Sequence, residues 1–230
     1  MLAEAGEGLF KPTLTAPEKQ LGALVTKEVP AVERQLGTLV AESERVEDEA
    51  IAQCLGRLSR LTDPARISGL VDQMRGANSR INKIMYWLYQ SEDAGANPER
   101  VLAAALSAAG YLGAEAQLTL KNLLSNYQAA KTVGAFTEEN LARLRLGKSA
   151  LLSNGVKLDI DHIIPVAISR ELGTNLANLH LTAASVNRIA QEAVASRALE
   201  YAEELNKAGL LSSQGLDAVR QAFMRGGAHR

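Results

Sequence analysis

The amino-acid sequence predicts a mainly α fold, a helical bundle that carries a short strand–strand–helix element near its C-terminal third. Three observations support this prediction. Apolar residues recur at helical spacing through the first part of the chain, as in Ile67, Leu70, Val71 and Met74. From residue 156 the apolar and polar residues alternate, which is typical of a half-exposed strand. Helical spacing returns after residue 182.

The first elements follow from caps and breaks in the helical pattern. After a loose arm at 1–15, we expect helices at about 17–28, 31–61, 98–110, 114–131 and 137–152. We expect two further helices, one before and one after Gly76-Ala77-Asn78. Three polar residues have the chemistry of N-caps: Asp63, Asn97 and Thr137. In the cluster Tyr86-Trp87-Leu88-Tyr89, we expect the rings to pack in a helical core rather than to stack on bases.

The later elements differ in period. We expect strands at 156–161 and 179–181, a helix at 182–206 capped by Thr182, and a last helix at 213–225. The predicted domains are a helical domain at 1–135, a module containing both strands at 136–208, and a C-terminal helix and tail at 209–230.

The composition fits a globular protein with a buried core. The chain has 230 residues, of which 47% are hydrophobic and 22% are charged. A formal net charge of -1 excludes a strongly basic protein that coats nucleic acid. Cys54 is the single cysteine, so neither an internal disulfide nor a cysteine-cluster zinc site is possible. No apolar run is long enough to span a membrane, and we expect a cytoplasmic protein without a membrane partner.

Most residues suited to chemistry lie between positions 157 and 190. The sequence there contains Asp159-Ile160-Asp161-His162-Ile163-Ile164-Pro165, then Asn178-Leu179-His180-Leu181, then Asn187-Arg188. A hairpin packed on the following helix would bring Asp161, His162 and Asn187 together. A carboxylate and an amide oxygen are hard ligands that suit Mg²⁺. A neighbouring imidazole takes a proton from water near neutral pH, and the trio is therefore suited to phosphodiester hydrolysis.

This segment resembles the HNH, or ββα-metal, nuclease motif over about residues 145–205. The Asp-Ile-Asp-His-Ile-Ile-Pro run and the Asn-x8-Asn spacing are similar to the HNH domains of CRISPR effector nucleases. The Asn-Leu-His-Leu phrase followed by Asn187 resembles the C-terminal module of GmrSD type IV restriction enzymes. The chain has Asn187 where the motif often has His, and it lacks the cysteine pairs of many small HNH domains.

The resemblance implies a role for each matching residue. His162 would be the general base, and Asn178 would be a buttress that holds the His162 strand, although Asn175 competes for that position. Asp161 and Asn187 would bind a divalent metal ion, Mg²⁺ or alternatively Mn²⁺. The remaining candidates are phosphate-binding Arg188, Lys157 and Arg145, and the accessory residues Asp159 and His180. We expect His180 to be structural rather than part of the site.

The predicted function is a metal-dependent endonuclease that cuts nucleic acid, preferably DNA, in restriction or phage defence. Two alternatives stay open. One is a catalytically silent protein of the same fold whose helical part binds a protein partner, and the other is a helical adaptor in which the Asp-His pair is incidental. Because the chain is nearly neutral, affinity for DNA would come from local clustering of cations, a homodimer, a further domain or a partner chain.

Overall fold

The structure is a computed structural model that describes residues 48–68, 73–183 and 191–227. The described chain is mainly helical, as predicted, with a small two-stranded antiparallel sheet. Its helices are α1 (48–62), α2 (Pro64–Ser68), α3 (Gln73–Asp93), α4 (Pro98–Ala108), α5 (Gly113–Thr132), α6 (Glu138–Arg145), α7 (Gln191–Lys207) and α8 (Ser213–Gly227). Its strands are β1 (Leu158–His162) and β2 (Leu179–Ala183). Among the described helices, none is both long and apolar enough to cross a membrane.

The largest hydrophobic core joins the helices to the hairpin. Helices α1, α3, α4 and α5 contribute most of its members, and Ile160 of β1 and Leu179 of β2 belong to the same cluster. Trp87 and Tyr89 are partly buried against it, which confirms that this aromatic segment packs in the core. Four residues of α3 at helical spacing are almost completely buried: Ile81, Ile84, Met85 and Leu88. One face of the hairpin is therefore buried by the helices.

Helix α3 continues through Gly76-Ala77-Asn78, so the predicted break at these residues is wrong. A glycine inside a helix costs about 1 kcal/mol relative to alanine. Full burial of one leucine or isoleucine side chain contributes about 2 kcal/mol. Because the next two turns of α3 bury four such apolar side chains, their packing outweighs the local preference for a break.

Helix α6 is shorter than the predicted helix at 137–152. Thr137 caps its N-terminus as expected, because its hydroxyl accepts a hydrogen bond from the Asn140 N–H at 3.3 Å. The helix ends at Arg145, and Gly147 follows with a φ of 78°, which is incompatible with a continuing helix. The Asn140 side chain then bonds both the carbonyl and the N–H of Leu151, at 2.8 and 2.9 Å. These bonds anchor Leu151, which forms an antiparallel bridge with Lys157 across the turn that precedes β1.

The two strands pair in antiparallel register, with Asp161 opposite His180 and His162 opposite Leu179. Strand β2 continues to Ala183, and Thr182 lies in it, opposite Asp159. The prediction that Thr182 caps a helix is therefore wrong. The five residues of β1 provide backbone partners for β2, and this pairing outweighs the local capping preference of threonine. Helix α7 is described from Gln191 onward.

A second core lies under the last two helices. Ala202 and Leu205 of α7 pack with Leu216 and Val219 of α8, and all four are buried. Ile164, in the loop between the strands, belongs to the same cluster. The loop that follows His162 is therefore anchored in apolar packing rather than lying free on the surface.

Candidate active site

Strand β1 places two carboxylates on one face and two aliphatic side chains on the other. Leu158 and Ile160 are buried, whereas Asp159 and Asp161 are only half-buried. Because side chains alternate along a strand, burial of the aliphatic pair directs both aspartates to the opposite face. The shared face of Asp159 and Asp161 agrees with the sequence pattern.

The His162 ring is held by the loop between the strands. Its Nε2 lies 2.9 Å from the carbonyl oxygen of Gly173, and the residue is half-buried. A carbonyl oxygen only accepts hydrogen bonds, so Nε2 carries the proton in this contact. In the neutral ring this contact selects the Nε2–H tautomer, in which Nδ1 is the proton acceptor.

Asp161 and His180 lie next to this histidine. An oxygen of the Asp161 carboxylate accepts the backbone N–H of His162 at 2.8 Å. His180 stands directly opposite Asp161 across the strands. Burial lowers the pKa of His180, the positive form of His162 lowers it further, and the negative charge of Asp161 opposes both effects. Asp161 and His162 therefore both lie within electrostatic range of His180 at the end of the hairpin.

Asn178 holds the loop in shape through its buried amide. Its Oδ1 accepts the Ile164 N–H at 2.8 Å, and its Nδ2 donates to the Ile164 carbonyl at 2.9 Å. The same Nδ2 lies 3.4 Å from the Leu172 carbonyl. The Asn178 side chain thus connects the start of the loop, at Ile164, with its later part, at Leu172. Ile164 is two residues beyond His162. These contacts have the geometry expected of a buttress.

Asn175, the competing residue, has a more local contact. Its Oδ1 accepts the Ala177 N–H at 2.9 Å and caps the short 3₁₀ turn Leu176–Asn178. That bond spans two residues, whereas the Asn178 bonds to Ile164 span fourteen. Of the two asparagines, Asn178 is the one that crosses the loop.

Helix α5 supplies two asparagines that the sequence analysis did not single out. The buried amide of Asn126 donates to the Leu179 carbonyl at 2.8 Å and accepts the Leu181 N–H at 2.7 Å. Asn122 donates to the carbonyls of Leu176 and Leu179, at 2.9 and 2.8 Å. These amides take the place of a neighbouring strand along the outer edge of β2. Their spacing of four residues among apolar positions was the available signal, because it places both on one buried helix face.

The structure describes two of the three predicted phosphate-binding residues, Lys157 and Arg145. The Lys157 ammonium lies 2.8 Å from an Asp159 carboxylate oxygen, which also accepts the Ser149 hydroxyl at 3.2 Å. Lys157 and Asp159 are therefore engaged with each other. Arg145 is exposed at the last position of α6. The other predicted residues of this site, Asn187 and Arg188, lie outside the described residues.

The helix after the hairpin is fastened to the loop beside Asn178. Tyr201 of α7 donates its hydroxyl to the Ala177 carbonyl, and burial raises the pKa of that hydroxyl. Glu171, in the same loop, accepts the N–H of Ser212 at 3.2 Å and its hydroxyl at 2.9 Å, just before α8. Both C-terminal helices are thus attached to the loop that holds His162.

Few described donors that could hold a divalent ion lie near the end of the hairpin. No cluster of three or more His, Cys, Asp or Glu side chains suited to a metal occurs within the described ranges. Mg²⁺ commonly binds through one or two carboxylates, several waters and substrate phosphate, so a dense cluster is not required. Asp161 could supply one oxygen ligand, and His180 lies opposite it across the strands.

Comparisons with known proteins do not assign a family. The chain matched no family model, no curated protein and no solved structure. Its function must therefore be inferred from the residues themselves and from their arrangement at the end of the hairpin.

Proposed function

We propose that this chain is a metal-dependent endonuclease of the HNH type, with His162 as its general base. The observation that carries the proposal is the hydrogen bond from His162 Nε2 to the Gly173 carbonyl. In the neutral ring it leaves Nδ1 as the acceptor, on a half-buried residue that directly follows Asp161 in β1. The buried amide of Asn178 supports the proposal, because it holds the loop that supplies this carbonyl.

The proposed reaction begins with proton transfer from water to Nδ1 of His162. The Gly173 carbonyl keeps its bond to Nε2–H and stabilises the positive charge that develops on the ring. The hydroxide attacks the phosphorus of the scissile diester. The bond to the leaving ester oxygen then breaks, and that oxygen takes a proton from solvent, so the net reaction adds one water across the diester.

A bound Mg²⁺ or Mn²⁺ would contribute Lewis-acid stabilisation of the charge on the scissile phosphate. Asp161 would hold this ion, with Asn187 as the second ligand implied by the resemblance. His180 is the register partner of Asp161 and lies on the same face of the hairpin. This donor set predicts weak binding of the ion without substrate, because few protein atoms would surround it.

DNA is the proposed substrate, in restriction or phage defence. Arg188, Arg145 and Lys157 are the proposed phosphate contacts near the hairpin. Lys157 would exchange Asp159 for a phosphate at small cost, because an exposed ion pair contributes about 1 kcal/mol or less.

Plasmid cleavage by the purified chain tests this proposal. Supercoiled DNA is incubated with the wild type in Mg²⁺, Mn²⁺ or EDTA, beside His162→Ala and Asp161→Asn purified in the same way. We expect cutting that depends on metal and is lost in both variants. Cutting that persists in His162→Ala contradicts the role of the base. Absence of cutting with either metal contradicts the endonuclease and favours the silent protein of the same fold.

A further inference from the structure

Five cationic side chains lie together on the first three helices, far along the sequence from the hairpin. We call them the basic strip: Arg57 and Arg60 of α1, Arg66 of α2, and Arg80 and Lys83 of α3. None was among the residues that the sequence analysis assigned to nucleic acid. Three of them, Arg57, Arg60 and Arg66, are exposed.

Two contacts join helices α1 and α3 along the strip. The Arg57 guanidinium lies 5.7 Å from the centroid of the Trp87 ring. Arg80 donates to the Leu61 carbonyl at 2.9 Å, at the other end of the same pair of helices. Helices α1 and α3 therefore run antiparallel, and Lys83 lies between these two contacts, one helical turn from each.

Helix α2 extends the strip. Arg80 also lies 3.5 Å from the carbonyl oxygen of Arg66, so the backbone of α2 is adjacent to α3 at this end. Burial lowers the pKa of Arg80, the neighbouring Tyr111 and Asp63 raise it, and the positive charge of Arg66 lowers it further. Arg66 and Arg80 thus have Asp63 as a common acidic neighbour at this end of the basic strip.

Cations outnumber acidic residues in 48–68 and 73–83 by six to three. Of the acidic residues, Asp63 pairs with Arg66 at 3.3 Å, and Asp48 and Glu49 lie at the start of α1. Clustered cations with few matching anions destabilise a fold, and an anionic partner would relieve their repulsion.

The dimensions and chemistry of the strip fit a DNA backbone. The segment of α3 from Arg80 to Trp87 spans about 10 Å at 1.5 Å per residue. Duplex DNA carries one charge per about 1.7 Å of its axis, so several phosphates face a surface of this length. Four of the five cations are arginines, whose planar guanidinium groups match phosphate oxygens in pairs.

We propose that the basic strip binds the phosphate backbone of duplex DNA and provides affinity that the end of the hairpin lacks. The choice of DNA as the anionic partner rests on the proposed endonuclease function. The strip would hold DNA without reading its bases, because phosphate contacts carry no direct sequence information. An acidic protein segment would be a different occupant, and the experiment separates the two.

Fluorescence anisotropy with a labelled duplex tests the strip in EDTA, where metal-dependent cutting is prevented. The test variant is the double substitution Arg57→Gln and Arg60→Gln, and the matched control is Arg100→Gln, an exposed arginine of α4. We expect the double variant to bind DNA about tenfold more weakly than the wild type. The slope of log K plotted against the logarithm of the salt concentration should be less steep by about two. Arg100→Gln should bind as the wild type does.

The single tryptophan gives a local readout of the same event. Because Arg57 lies over the Trp87 ring, DNA binding at the strip should change the tryptophan emission of the wild type. The same DNA should leave the emission of the double variant unchanged. Thermal unfolding midpoints that agree between variants show that the substitutions leave the fold intact.

Several results would overturn the assignment of the strip. They are wild-type DNA affinity in the double variant, absence of DNA binding by the wild type, and tighter binding of poly-glutamate than of DNA. Failure of the strip is distinguishable from failure of the endonuclease. If the double variant cuts DNA at the wild-type rate and binds it with the wild-type affinity, only the proposal for the strip is refuted. If the wild type binds DNA more tightly than the double variant but never cuts it, only the endonuclease is refuted.

Discussion

The helices and the hairpin are stabilised by different interactions. In the helical region, Leu88, Leu102 and Leu123 are completely buried among other apolar side chains. In the hairpin region, the buried amides of Asn126 and Asn178 bond backbone groups of the strands and the loop. Apolar burial has no preferred direction, whereas a hydrogen bond constrains both distance and angle. The difference indicates that apolar packing of the helices provides most of the stability, whereas the buried amides fix the positions of the strands and the loop.

A positional role for the amides has a chemical reason. A general base acts only within hydrogen-bond reach of the proton that it removes, so the ring of the proposed base would have to be held accurately. The carbonyl that orients the His162 ring comes from Gly173, in the loop that Asn178 crosses. Substitutions in the two regions should therefore separate stability from activity.

The largest effect on stability is expected in the helical core. Leu88→Ala should lower the free energy of unfolding by about 3 kcal/mol, because it leaves a cavity among fully buried side chains. Cleavage per folded molecule should remain near the wild-type rate. Urea unfolding gives the first quantity, and plasmid cleavage corrected for the folded fraction gives the second.

The control for this prediction is Leu112→Ala, because Leu112 is 75% exposed. It should change stability by less than about 0.5 kcal/mol. A large loss of cleavage per folded molecule in Leu88→Ala would contradict the separation between the two regions.

The next largest effect is expected at Asn178. Asn178→Ala leaves the buried N–H and carbonyl of Ile164 without their partner, which should cost about 2 kcal/mol. Cleavage per folded molecule should fall at least about tenfold, because a small misplacement of the His162 ring is expected to slow the reaction by this order of magnitude. Asn175→Ala is the matched control, since its side chain only caps a short turn. Equal cleavage by the two variants would show that the loop contact does not position the base.

A smaller effect is expected at the outer edge of β2. Asn126→Ala removes a donor and an acceptor from β2, and should lower the free energy of unfolding by about 1–2 kcal/mol. Hydrogen exchange of the Leu181 amide should become faster, because its N–H loses its acceptor. Asn122→Ala, which removes only bonds to carbonyls, should leave exchange at Leu181 slower than in Asn126→Ala. Equal exchange in both variants would contradict the proposed edge contact.

The smallest effect concerns a polar contact at the surface of the helical region. Lys131 and Tyr127 donate hydrogen bonds to Glu92, and these bonds hold the pKa of that carboxyl below its usual range. A folded-state pKa below the unfolded value stabilises the fold above the unfolded pKa, and this stabilisation is lost as pH falls through the folded pKa. Because Glu92 is 39% exposed, solvent screening limits the effect to about 1 kcal/mol or less.

Glu92→Gln should therefore be slightly less stable than the wild type at pH 7. The difference should shrink as the pH is lowered below about 4, where the wild-type carboxyl becomes protonated. Urea unfolding at pH 7, 5 and 3.5 measures it. A difference that grows in acid would contradict the assigned direction of the pKa shift.

Local sequence signals predicted part of the fold. The Asn97 side chain accepts the N–H groups of Glu99 and Arg100, as its cap position indicated. Alternation from residue 156 correctly predicted that Leu158 and Ile160 lie on one side of a strand. These features depend on neighbours in the chain, so they are visible without knowledge of distant contacts.

Other features depend on residues far apart in the chain. Thr182 has the chemistry of a helix cap, but β1 provides it with a strand partner. Gly76 weakens a helix locally, yet α3 continues because its next turns are buried in the core. The contact of His162 with Gly173 depends on how the loop folds back, which no local pattern specifies.

Chemical rescue tests the proposed base most directly. The measurement is the rate of metal-dependent plasmid cleavage by His162→Gly, with and without added imidazole, beside the wild type. We expect the substitution to lower the rate by at least about 100-fold, the usual contribution of a general base. Added imidazole should restore part of the rate in His162→Gly and leave the wild type unchanged. Cleavage by His162→Gly at the wild-type rate would contradict the assignment of His162 as the base.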